Sequence, residues 1–452
     1  MTFIRLRQFL GGKLFWLLYS FLSIPEAIKH IGKGTAMKKI LILGANPETV
    51  SLIEKAKAMG LYTIVTDYDP NAFAKKYADQ AENVNAIDAD ALVELAKREN
   101  VSGVVVGVAE ALLPTYCKVC ERLGMPAFST SEAFEIMTRK DLFKNKCREY
   151  GVPTIREYSA DEPDSIVYPV IVKPVDGCSS KGITVCYDSS DLKLAIEHAL
   201  EFSRSGKYII EEYMKGDEVI SYYVIQDGNP IFVAMCDRYT YKARKELVQL
   251  PTSYIYPSRY IESYIKYSDE AVKKMIKGLG LNNGSIFFQC FVDREGIVRT
   301  YEPGFRLNGA QEHIIVSAVS GIDAKEMYIN YALYGKVAEK DLEPLSNPKP
   351  AKISCKLSPI VRMGTISRLE GLEEIKAMAD VVDIRPSYNE GDTVTGEGTL
   401  KQIVCRFFIV SDNKKALKEN IDKIQRIFKV YDEKGENMLE GLFNTDIIDK
   451  MY

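Results

Sequence analysis

A chain of 452 residues with 46% hydrophobic and 27% charged side chains has the make-up of a soluble, well-cored protein, which sets aside the fibrous and disordered classes. Its 59 Lys and Arg stand against 62 Asp and Glu, a net charge of -3, so no long-range field draws a polyanion and nucleic acid is not an expected partner. Nine cysteines without a repeating spacing, in a chain long enough for about three domains, favour a reducing cytoplasm over a disulfide framework.

Residues 1–36 stand apart. The apolar stretch LFWLLYSFLSI, Leu14–Ile24, lies behind Arg5, Arg7 and Lys13 and is shorter than the roughly 20 residues a spanning helix needs. Three readings stay open: a start at Met37, an amphipathic anchor lying on a membrane surface as a peripheral contact, or a signal peptide. From Lys38 the pattern changes. KKILILGA reads as a buried strand, ETVSLIEKAKAMG as a helix closed by Gly60, and LYTIVTDYDP as a second strand; the alternation predicts a parallel βαβ domain over 37–128. Gly44 and Ala45 follow the first strand, but GANPET lacks the later glycines of the dinucleotide fingerprint, so NAD is disfavoured. Cys117 and Cys120 form a single Cys-x-x-Cys pair on a helical segment, with only three histidines in the chain, and are expected to pack rather than bind zinc.

Two capping signatures follow, Ser129 with Glu132 and Thr138 with Asp141. The second would put Lys140 in the first turn of a helix, where free amides and the helix dipole attract an anion. A module is predicted over 129–340, with its smaller lobe, at about 153–212, beginning just after Gly151. It holds Lys173 inside the apolar run PVIVKP, a loop with Gly177, Ser179, Ser180, Lys181 and Gly182, and a stretch with Glu211, Glu212 and Glu218 around a turn at Gly216. A lysine within a buried strand loses several kcal/mol of hydration unless it meets an anion, and Lys173 is read as meeting a bound anion or, as the alternative, a core carboxylate. GSIFFQCFVDREGIVRTYEPGFRLNG reads as a hairpin turning at Glu295–Gly296, with Gln289 and Glu302 on partner strands. The linker LEPLSNPKP then leads to a C-terminal α+β domain over 350–452.

Phosphoryl transfer from ATP demands cations on the phosphates, a backbone-rich loop above them, and carboxylate or amide oxygens for Mg²⁺. The ordered stretches TRKDLFK, YPVIVKPVDGCSSKGI, IIEEYMKGDEVISYYV and IFFQCFVDREGIVRTYEPGFR supply each of these. Together they resemble the ATP-grasp superfamily of carboxylate–amine ligases, over roughly residues 38–340; TIVTDYDPNAFAKKYAD is similar to the domain that precedes that fold. The resemblance implies an α/β and α+β multidomain chain that binds ATP with Mg²⁺ or Mn²⁺, activates a carboxylate as an acyl phosphate and couples it to an amine. It also implies roles. Lys140 and Lys173 would contact phosphates, Gly177–Gly182 would close as a lid, Glu211 with Glu212, Tyr213 and Met214 would hold adenine, and Glu218 the ribose. Gln289 and Glu302 would bind metal, and Arg306 would stabilise the transferred phosphoryl group.

The family usually reads Glu-x-Asn-Pro-Arg where this chain has Glu302, Pro303, Gly304, Phe305 and Arg306, so one metal ligand is replaced by glycine, with Asn308 nearby. Between the nucleotide and metal motifs, Arg238, Lys242, Arg244 and Lys245 are expected to meet an anionic substrate, Arg238 foremost, or else to form a solvated face. A biotin- or purine-type carboxylase and a non-catalytic ATP-binding scaffold are the alternatives, and a homodimer is left open.

Overall fold

In the computed structural model the first strands are continuous apolar runs, and both their faces are covered. The structure describes residues 37–177, 181–241 and 249–450. Lys39–Leu43 (β1), Tyr62–Thr66 (β2), Gln80–Glu82 (β3) and Gly103–Val106 (β4) form a parallel sheet in the order β3-β2-β1-β4. Helix Val50–Ala58 connects β1 to β2, helix Ala89–Glu99 connects β3 to β4, and helix Leu113–Leu123 follows β4. This is the βαβ unit the alternation predicts, and its strand ends present Gly44, with φ +85°, and Glu110 at the carboxyl edge where such sheets bind ligands.

Helices Ser131–Thr138 and Lys140–Tyr150 follow, and their caps correct the expected ones. Thr130, not Ser129, accepts from the Ala133 amide, while Thr138 ends the first helix and its hydroxyl donates back to the Phe134 carbonyl. Arg139 caps the second helix without a side-chain bond, leaving Lys140 in the first turn.

Glu157–Tyr158 (β5), Val170–Pro174 (β6), Thr184–Cys186 (β7) and Tyr208–Glu212 (β8) make a small antiparallel sheet, order β5-β8-β6-β7, backed by helix Ser189–Glu201. The chain then leaves this sheet through the turn at Gly216, where a Cβ would lie 1.9 Å from the Val292 carbonyl oxygen, so only glycine fits. The stretch IIEEYMKGDEVISYYV is therefore split between two sheets.

The second sheet has eight antiparallel strands: Glu218–Gln226 (β9), Asn229–Tyr241 (β10), Leu250–Tyr256 (β11), Gly284–Val292 (β12), Val298–Phe305 (β13) and Ile353–Leu357 (β14), with Val381–Pro386 and Cys405–Ser411. Its order is β13-β12-β9-β10-β11-β14, then Cys405–Ser411, then Val381–Pro386. The predicted hairpin is β12–β13, with Gln289 opposite Glu302. The segment expected as a C-terminal domain is joined by backbone pairing, Tyr254 facing Lys356 across β11 and β14, and Lys39–Tyr452 forms one compact unit. Ion pairs tighten this: Arg406 to Glu48 at 2.9 Å and Arg385 to Glu54 at 2.5 Å tie the late strands to the first βα unit.

Candidate active site

The helix Lys140–Tyr150, the strand β6 and the hairpin β12–β13 bring together the lysines and the metal-end residues. The Lys140 ammonium donates to the Gly177 carbonyl at 2.8 Å and lies 4.0 Å from the Glu302 carboxylate. Its amide bonds the Val175 carbonyl at 2.9 Å, which pins the helix start to the end of β6. The described glycines on either side of residues 178–180 are tightly placed: at Gly177 a Cβ would meet Pro174 at 2.5 Å, and Gly182 has φ +71° with Phe202 at 2.7 Å from the same position. Ser179 and Ser180 lie outside the described residues, as do Lys242, Arg244, Lys245 and residues 1–36.

Lys173 makes the alternative to a bound anion, a salt bridge to a core carboxylate. Its ammonium meets a carboxylate of the protein, Glu211 Oε2 at 2.6 Å, and also lies 5.6 Å from the Tyr301 ring centroid. Glu211 is fully buried, and its other oxygen is 2.6 Å from the ammonium of Lys144, itself fully buried. Burial pushes the Glu211 carboxyl upward, but the two ammonium charges prevail and hold it down at about 2. Glu211 is thus a bridge between two lysines, not an exposed contact for a base. Glu212 is exposed, Tyr213 spends its amide on the Pro169 carbonyl at 3.1 Å, and Met214 is half-buried. Glu218 is also committed inside the protein, paired with Arg238 directly across β9 and β10.

At the metal end Gln289 accepts from the Tyr301 hydroxyl at 3.1 Å, and Glu302 stays half-exposed beside it. Mg²⁺ is commonly held by one or two protein oxygens together with phosphates and water, and Gln289 with Glu302 fits that habit. No cluster of three or more His, Cys, Asp or Glu side chains suited to a metal occurs among the described residues. Gly304 accounts for the missing asparagine: a Cβ there would sit 2.1 Å from the Phe287 ring, so that ring fills the space a longer side chain would take. Asn308 spends its side-chain oxygen on the Ala310 amide at 2.9 Å.

Arg306 lies over the same Phe287 ring, 5.4 Å from its centroid, and donates through Nε and Nη2 to Glu110 at 3.3 and 3.1 Å. Burial raises the Glu110 carboxyl, Arg306 lowers it and the neighbouring Glu302 charge raises it again. Arg306, Gln289, Phe287 and Arg238 line one cavity of about 900 Å³, which is also lined by Asn46 and Glu48 after β1 and by Lys356 and Arg406 of the late strands. Beside it Gln311, Glu312 and His313 are buried in succession. The Gln311 side-chain amide oxygen, both Glu312 side-chain oxygens and both imidazole nitrogens find no hydrogen-bond partner among the described residues. Burial holds the His313 imidazole down at about 3, with the Lys325 charge adding to it, so the ring is neutral.

Several of these groups escape a motif-led reading. Lys144 carries a usable signal, four residues after Lys140 and so on the same helix face. Glu48 and Glu110 carry another, each just beyond the carboxyl end of a parallel strand. Lys356 carries none, since a lysine in ISCKLS alternates like a solvent-facing residue. Cys117 and Cys120 are buried, and burial raises their thiols to about 11 and about 12, which agrees with packing. Among the described residues no helix is long and apolar enough to cross a membrane.

Residues 166–311 match the family model described as the ATP-grasp domain. The formate-dependent phosphoribosylglycinamide formyltransferase of Wolinella succinogenes is 27% identical over 271 residues, covering 57% of this chain and 67% of that protein. The phosphoribosylamine–glycine ligase of Lactococcus lactis is 28% identical over 198 residues, covering 42% and 48%. The chain thus spans about half to two thirds of the length of these curated relatives. Among solved structures, the L-amino acid ligase of Bacillus licheniformis aligns with a TM-score of 0.70 at 17% identity, covering 88% of this chain and all of that one. The biotin carboxylase domain of Hydrogenobacter thermophilus 2-oxoglutarate carboxylase aligns at 0.74 with 17% identity, covering 90% and 92%.

Proposed function

Because the chain belongs to the ATP-grasp superfamily, we propose that it is an ATP-dependent ligase that activates a carboxylate as an acyl phosphate and joins it to an amine. The observation that carries this reading is the approach of Lys140 to both the Gly177 carbonyl and Glu302, next to a cavity reached by Gln289 and Arg306. In the first half-reaction a carboxylate oxygen attacks the γ-phosphorus and ADP leaves. In the second the amine attacks the acyl carbon, inorganic phosphate leaves, and the amine gives up a proton as the amide forms.

Each step has a residue suited to it. Lys140 offsets phosphate charge, and the glycine-bounded loop over it keeps water from the acyl phosphate. Gln289 and Glu302 hold Mg²⁺, which supplies charge neutralisation on the phosphates. Arg306, oriented by Glu110 and Phe287, stabilises negative charge on the transferred group. Lys173 acts at one remove, its ammonium fixed by Glu211. The relatives' printed names span a formyltransferase and a glycine ligase, and a cavity of about 900 Å³ has room for an acid larger than formate.

The test is ADP release with Mg²⁺ across a panel of acids and amines. Release that requires both an acid and an amine, and that falls about 10²- to 10³-fold in Arg306→Ala, supports the ligase. Release driven by bicarbonate alone points to a carboxylase, and tight ATP binding without turnover points to a scaffold.

A further inference from the structure

The cavity has a second polar region that the activation chemistry leaves unused. Lys356 lies on β14, on the sheet face that packs toward Glu312 and helix His313–Ser320, and is only 1% exposed. Its ammonium is 3.8 Å from Glu312, beyond hydrogen-bond distance, and 3.3 Å from the centroid of the Tyr254 ring. A buried ammonium without a hydrogen-bond acceptor is costly, and a ligand acceptor would remove that cost.

The neighbours sharpen the point. Arg238 and Arg406 line the same cavity, and each keeps a buried Nε–H without a partner among the described residues, although their other nitrogens reach Glu218 and Glu48. The three cations therefore face one space. Burial, with the charges of Arg406 and Arg238 adding to it and Glu312 opposing, holds the Lys356 ammonium down at about 7.

We propose that the inner end of this cavity is an anion subsite, in which Lys356, flanked by Arg238 and Arg406, binds a carboxylate or phosphate group that the acid substrate carries in addition to its reacting carboxylate. The assignment to the acid rests on the ligase reading; the existence of the subsite does not. An anion there accepts from the Lys356 ammonium and offsets the repulsion among the three cations. Because Lys356 gains charge when an anion arrives, binding near pH 7.5 takes up a proton.

Calorimetric titration of the full chain with ADP and Mg²⁺ tests this directly, using succinate, inorganic phosphate, acetate and the neutral-ended analogue succinamate as probes. Succinate or phosphate should bind at least tenfold more tightly than acetate and succinamate, with proton uptake seen as a dependence on buffer ionisation enthalpy. Whichever of the two binds more tightly names the group. Lys356→Arg should retain the preference, and the paired change Lys356→Met with Glu312→Gln, which avoids leaving Glu312 buried alone, should erase it. Equal affinity for all four probes in the unmodified protein overturns the subsite, as does an undiminished preference in the paired variant. In the coupling assay the paired variant should raise KM for a charged-ended acid at least tenfold with kcat within about twofold. Absence of coupling with every acid counts against the ligase reading alone, since the calorimetry still decides the subsite.

Discussion

Two buried glutamates in this protein meet lysines in opposite ways. Glu211 receives the ammonium groups of Lys144 and Lys173, both at 2.6 Å, and is sealed from solvent. Glu312 is equally buried, yet its one lysine stands 3.8 Å away and neither oxygen is hydrogen-bonded among the described residues. The first cluster is closed by two short ion pairs, although Lys144 Nζ and Glu211 Oε1 meet outside hydrogen-bond geometry, and it fixes the helix carrying Lys140 against β6 and β8. The second is incomplete, and it borders the cavity. The difference teaches that a buried charge is informative by what it lacks: the closed bridge serves the scaffold, and the open one implies a ligand.

The largest effect that would break this comparison is Glu211→Ala, which leaves two ammonium groups buried without a carboxylate and should cost about 3 to 5 kcal/mol, read from the urea unfolding midpoint. Next comes acid. A carboxyl held at about 2 against an ordinary 4.5 contributes stability that is fully present above pH 4.5 and lost as pH falls toward 2. Thermal melts across that window should show a fall that Glu211→Gln flattens. The open cluster has its window elsewhere: Lys356 at about 7, against an ordinary 10.5, makes stability rise between those values as the unfolded chain alone still holds the proton. Lys356→Met with Glu312→Gln should remove that rise. On the cavity side, Gly304→Asn forces a side chain into the Phe287 ring and should cost about 1 to 3 kcal/mol without a gain in Mg²⁺ affinity, measured by calorimetry with ADP. The smallest change, Thr130→Ala, removes one helix cap for about 1 kcal/mol and should leave ADP release untouched.

Much of the architecture was legible because its signals are local. Alternating apolar runs and helices announced the parallel unit, and the Glu295–Gly296 turn fixed the pairing of Gln289 with Glu302. The approach of Lys140 to Glu302 followed from the order of the motifs. What escaped depends on distant partners. Nothing in PVIVKP names Glu211 as the partner of Lys173, since that contact is made by β6 and β8 pairing diagonally. The caps slipped because Ser129 and Thr130 are both competent, and tertiary packing chose between neighbours. β14 read as half-exposed because Ser354 and Lys356 alternate with Ile353, Cys355 and Leu357. Instead helix Lys414–Ile427 packs with the apolar residues of that strand, and helix His313–Ser320 also packs against it.

The pairing of β11 with β14 reaches beyond the binding cavity. A chain cut within LEPLSNPKP would strip β11 of its neighbour, and the freed row of amides and carbonyls would become a template for self-association. The nucleotide-handling half is for that reason not a detachable cassette: it borrows its margin from residues more than a hundred positions downstream, and fusion or domain-swap designs that keep Tyr254 should keep Lys356 as well.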